Sequence, residues 1–131
     1  MLRFPALPAY RAEWFPLQFE TIPGSGERFT FAIVARGEDG QIDIRDALRP
    51  GVLKQMYPAQ GELLQGMMVR AIIAIKAHLS RQGDWRTLPL PMSNVFSGPV
   101  RPTLADDLEQ VFDQAIRLSA GLGHSTIGAH A

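Results

Sequence analysis

The sequence predicts an α+β protein: a three- or four-stranded antiparallel meander with two helices packed on one face. Three observations carry that expectation. Apolar and aromatic residues alternate at a period of two between Glu13 and Asp46. They recur at helical spacing from Ala59 to Gln82 and from Leu104 to Ala120. Glycine-containing turns, "PGSG" and "GEDG", separate the alternating runs. With 131 residues, 46% hydrophobic and 20% charged, the chain suits a single α+β domain over 1–131 better than two domains.

The elements follow in order. Residues 1–11 hold two prolines and no period, and read as a loose arm. Trp14, Phe15, Leu17, Phe19 and Ile22 make an aromatic-rich strand over Glu13 to Ile22. Pro23 to Gly26 supplies a turn, because proline presets one backbone angle and glycine accepts positive φ. Phe29, Phe31 and Ile33 alternate with Thr30, Ala32 and Val34, a strand with one face buried and the other nearly so. A third strand is centred on Ile42 and Ile44, and a short connection with one helical turn follows.

In the long helix, Leu64, Met68, Ile72, Ile75 and Leu79 fall on one stripe, but apolar residues spill onto other faces. Such a helix needs cover on more than one side: the sheet, then a second helix or a partner chain. Gly83 is its expected stop. The connection over 84–102 carries four prolines, with Trp85 and Phe96 as anchors and Met92 to Phe96 as a possible edge strand. Pro102 disfavours helix at Arg101. Thr103 then reads as the N-cap of the last helix, with Asp106 in the reciprocal capping-box position. Leu104, Leu108, Val111, Phe112, Ala115 and Leu118 form that helix's core stripe. Gly121 is the expected end, and 122–131 reads as a frayed tail.

Charge excludes more than it suggests. Thirteen basic and thirteen acidic side chains cancel, so the chain lacks the overall field that draws proteins to nucleic acid or anionic membranes. With no cysteine there is no disulfide and no thiolate site, which fits a cytoplasmic protein. The longest apolar stretch, Met67 to Leu79, is interrupted by Arg70, Lys76 and His78 and reads as too short and polar to span a bilayer. His78, His124 and His130 show no zinc-ligand spacing, and "PGSG" lacks the lysine of a phosphate loop. The leading reading given below expects no metal, cofactor or catalytic residue.

The stretch "FSGPVRPTLADDLEQVFDQAI" resembles the tail signature of a bacterial family catalogued as domain of unknown function 3037. The strand "GERFTFAIVA" resembles that family's front motif, with Gly26 and Glu27 in place, Thr30 where asparagine is usual and Ala32 where glycine is usual. The resemblance implies a small α+β module, often encoded beside kinase-like or mobile-element genes, with no known reaction.

Three functional expectations result. The first is a non-enzymatic accessory module that self-associates as a homo-oligomer or docks a larger protein, in a toxin–antitoxin, phage-defence or mobile-element setting that comes from the resemblance alone. Its contact residues would be Met68, Ile72 and Ile75 on a spare face of the long helix, with Trp85 and Phe96. The second is a nucleic-acid-binding accessory using Arg28, Arg36, Arg45 and Arg49 beside the aromatics of the meander. The third is a small metal-dependent hydrolase or nuclease using Glu27, Asp43 or Asp106.

Overall fold

A computed structural model of the chain describes residues 7, 9–22, 24–49, 51–81, 84–88, 90 and 94–128, and over 120–128 the backbone alone. The elements are β1 (Tyr10–Glu20), β2 (Arg28–Gly37), β3 (Ile42–Asp46), α1 (Val52–Met56), α2 (Gly61–Ser80), β4 (Val95–Ser97), β5 (Arg101–Ala105) and α3 (Leu108–Gly128). The expected arm over 1–6 and 8, Pro23 of the first turn, the stop at Gly83, Met92 of the edge strand, and 129–131 with His130 lie outside the described residues.

The α+β class and the antiparallel meander stand. β1, β2 and β3 pair in sequence order, and β4 and β5 both add to the free edge of β1. β4 pairs with Leu17–Phe19 and β5 with Tyr10–Trp14. Together they form one interrupted strand along β1. At the break the Gly98 N–H donates to the Pro16 carbonyl at 2.8 Å.

The helices do not share one face, as the sequence led us to expect. Successive side chains of a strand point to opposite sides. Phe15, Leu17, Phe19, Val34 and Ile44 pack against Met68, Ala71, Ile75 and Leu79 of α2. Trp14, Ile33 and Ala35 pack instead against Val111, Phe112 and Ala115 of α3. The sheet is therefore the middle of three layers. The physical reason is that both of its faces are apolar, so each needs a helix.

Two turns are fastened by side chains. The Glu20 carboxylate accepts from the backbone N–H of Gly24 at 2.6 Å and of Gly26 at 3.1 Å, both glycines at positive φ, and Arg28 pairs with it at 3.5 Å. At the β2–β3 turn, the Tyr10 hydroxyl donates to Asp39 Oδ1 at 2.7 Å. The phenol crosses Gly37 so closely that a Cβ there would sit 1.6 Å from the Tyr10 oxygen, so any other residue there would have to displace the phenol from Asp39.

The start of α3 also differs from expectation. Thr103 and Leu104 remain in β5, because Ala12 and Arg11 of β1 pair with them. The N-cap is Asp107: its Oδ1 accepts from the Gln110 N–H at 2.9 Å, and Gln110 Oε1 accepts from the Asp106 N–H at 2.6 Å. The Thr103 hydroxyl donates to Gln114 at 3.2 Å rather than capping. The helix continues through Gly121 to Gly128. A glycine costs a helix interior about 1 kcal/mol but does not oblige it to stop.

Candidate docking face

Helix α2 is 20 residues long, and one stripe of it enters the core. Away from that stripe, Leu63 is 63% exposed, Ile73 61% and Val69 43%. Met67 is half-buried, and Gly66, Ala74 and Ala77 add little side-chain bulk. By length and composition α2 would pass as a membrane span, contrary to the sequence expectation, and only 22% of its most apolar window is buried. Met68, Ala71, Ile75 and Leu79 tie it to the sheet, so crossing a bilayer would mean abandoning that core. The outer face carries Arg70 in the middle, Glu62 at the helix N-terminus and Arg81 at its C-cap. Glu62 meets Lys54 of α1 at 3.0 Å, in a pair exposed on both sides, which is a weak tether.

The residues expected to form the spare face are corrected by this geometry. Met68 and Ile75 are buried against the sheet, and Ile72 is half-buried beside it. The stripe richest in large aliphatics went to the sheet, which left Leu63, Val69 and Ile73 outside. Trp85 is core as well, tilted against Phe15 with ring centroids 5.3 Å apart and with the Arg36 guanidinium 4.4 Å over its ring. Phe96 is half-buried on β4 under Arg28, 3.7 Å away. Asp84 fastens the loop before Trp85, accepting from the Arg86 N–H at 3.0 Å and the Thr87 hydroxyl at 3.0 Å. Those bonds hold its carboxyl below the ordinary value.

Three of the four arginines expected to contact nucleic acid are paired with acids. Arg28 pairs with Glu20, Arg36 with Glu13 at 3.0 Å, and Arg45 with Glu109. Each also lies over an aromatic ring: Phe96, Trp85 and Phe112 respectively. Arg36 belongs to the α2 side of the sheet and Arg45 to the α3 side, so these two do not share a face. Arg49 is exposed beyond β3. Glu109 raises the Arg45 pKa by accepting its hydrogen bonds, and Arg45 lowers that of Glu109.

The acids are likewise dispersed. Glu27 lies beyond the start of β2, whereas Asp43 pairs with Ala35 near its end and approaches Lys76 at 3.8 Å. Asp106 sits before α3. Among the described residues no three His, Cys, Asp or Glu side chains gather where a metal could bind. An open groove at the start of β1 is lined by Arg11, Glu13, Arg36, Glu38, Pro102 and Leu104; its charges are of both signs, and Arg36 and Glu13 pair with each other at 3.0 Å.

Fold and site together define a three-layer α+β protein with an uncovered apolar helix. No family model, curated protein or solved structure matches the chain.

Proposed function

We propose that the protein is a non-enzymatic interaction module that docks protein through the outer face of α2. The observation that carries this reading is the exposure of Leu63, Val69 and Ile73 on a helix of which another stripe is already committed to the core. Large aliphatic side chains left outside the core on one helix are surface that a partner can cover. The pairing of Arg28, Arg36 and Arg45 with acids weighs against the nucleic-acid alternative.

A matched pair of substitutions tests it. Ile73→Glu changes an exposed position and should leave stability within about 0.5 kcal/mol. Met68→Glu buries an unpaired charge and should cost more than about 4 kcal/mol, enough to unfold a small domain. Immobilised wild-type chain should retain a protein, itself or another, that the folded Ile73→Glu chain releases. Equal retention by both would remove the α2 face from the argument.

A further inference from the structure

We propose that the Asp43 side chain closes the free edge of the sheet, and so keeps β3 from pairing with the β3 strand of a second copy of this chain. Among the described residues β3 stands at one end of the sheet, paired with β2 alone. The register shows which of its backbone groups face away. The Gly37 N–H donates to the Gln41 carbonyl at 2.8 Å, and the Ala47 N–H to the Phe31 carbonyl at 2.9 Å. Asp43 and Arg45 continue that parity, opposite Ala35 and Ile33. Residues of an antiparallel strand alternate between bonding inward and facing away. Ile42, Ile44 and Asp46 therefore turn their N–H and C=O groups outward. Such a row is a ready template for a further strand.

The middle of that row is occupied. The Ile44 N–H donates to Asp43 Oδ1 at 2.8 Å. Ile42 and Ile44 pack toward α2, whereas Arg45 lies over Phe112 of α3, and Asp43 alternates onto the α3 side with Arg45. Its Oδ1 nevertheless comes within 3.8 Å of Lys76 Nζ on α2. The carboxylate thus wraps round the edge from one face toward the other, across the path of an added strand. An incoming strand would bring a carbonyl oxygen to Ile44 and meet a carboxylate where it needs a donor. The Arg45–Glu109 pair stands beside it on the α3 side. The contact with Lys76 is a weak ion pair, since that lysine is 62% exposed. The bond from Ile44 is what places the carboxylate.

The test uses the full chain in an Ile73→Glu background, so that the α2 face takes no part and the docking reading is judged separately. Asp43→Ala frees the Ile44 N–H and removes the charge. Asp43→Asn keeps an oxygen on that N–H, and Lys76→Ala removes the ion pair alone. In dilute solution the Ile44 amide should be protected from exchange in the parent, Asp43→Asn and Lys76→Ala chains. It should exchange at least about tenfold faster in Asp43→Ala, with an unchanged circular dichroism spectrum. Sedimentation over a concentration series should then show association of Asp43→Ala alone, and the amides of Ile42, Ile44 and Asp46 should gain protection as concentration rises. Asp43→Val, a stronger strand former that also lacks an acceptor, gives the same reading should the alanine variant unfold. Unchanged Ile44 exchange in the variant without an acceptor would overturn the bond. Rapid Ile44 exchange in a chain that stays monomeric to millimolar concentration would overturn the guarding role. Equal association of Lys76→Ala would move the cause to the ion pair and end the proposal.

Discussion

Glu20 and Tyr10 show how single side chains hold the two hairpin turns, and both do so through a charge. The residue Glu20 is 5% exposed, yet the Gly24 N–H, then the Gly26 N–H and Arg28, hold its carboxyl below the ordinary range despite burial. The folded chain therefore keeps this group ionised more readily than the unfolded chain. Its contribution is complete above the unfolded value of ~4.3 and is lost as pH falls through the lower folded value. Glu20→Gln should flatten the acid limb of urea-denaturation midpoints measured from pH 7 down to 3, and an unchanged acid limb would show that the turn does not need the charge. Tyr10 runs the opposite way. Burial first, and donation to Asp39 second, push its phenol up to about 12, while the same bond lowers the Asp39 carboxyl. The folded state holds the phenolic proton more tightly, so this contribution is complete below ~10 and is lost as pH rises through about 12. In a Tyr57→Phe background, ultraviolet absorbance should report one late phenolate transition. Asp39→Ala should bring that transition down without returning it to the ordinary value, because burial remains.

At the scale of elements, α3 and α2 each show a local signal decided from outside. "TLADD" and "DLEQ" both carry the spacing of a capping box, with Thr103 or Asp107 as cap. The ladder of β5 with Tyr10–Trp14 claims the first, so the helix begins after the second. Asp107→Ala should then cost about 1 kcal/mol by thermal or chemical denaturation. Thr103→Ala loses a side-chain bond to Gln114 rather than a cap, and its helix start should be unchanged by amide exchange. In α2 the periodicity correctly found the stripe of Leu64, Met68, Ile72, Ile75 and Leu79. It could not say whether that stripe was the one covered, since a helix apolar on several sides offers more than one candidate.

Across the whole molecule, β1 is the organising strand. It pairs with β2 along one edge and with β4 and β5 along the other, and helices lie over both of its faces. Its amides should exchange only by global unfolding, with protection matching the full stability of the chain. Exchange of β1 faster than that of β3, which is paired on one side, would contradict this order. The second edge of β1 is closed by residues 95–105, far along the chain, so the sheet cannot be completed until the long loop closes. That separation is also why β5 was not legible locally: its residues contain Pro102 and two exposed side chains that carry no strand period of their own.

What the sequence determined alone was whatever depends on neighbours within a few positions. The alternation of Phe29 to Val34, the turn at Gly24 and Gly26, and the stripe of α2 are set by backbone geometry and period. The tertiary structure decided which of several satisfiable local patterns was used. It assigned α2 and α3 to opposite faces of the sheet, moved the cap from Thr103 to Asp107, and turned Leu63, Val69 and Ile73 outward. Each of these depends on contacts between residues distant in sequence, where burial of one surface settles what remains exposed on another.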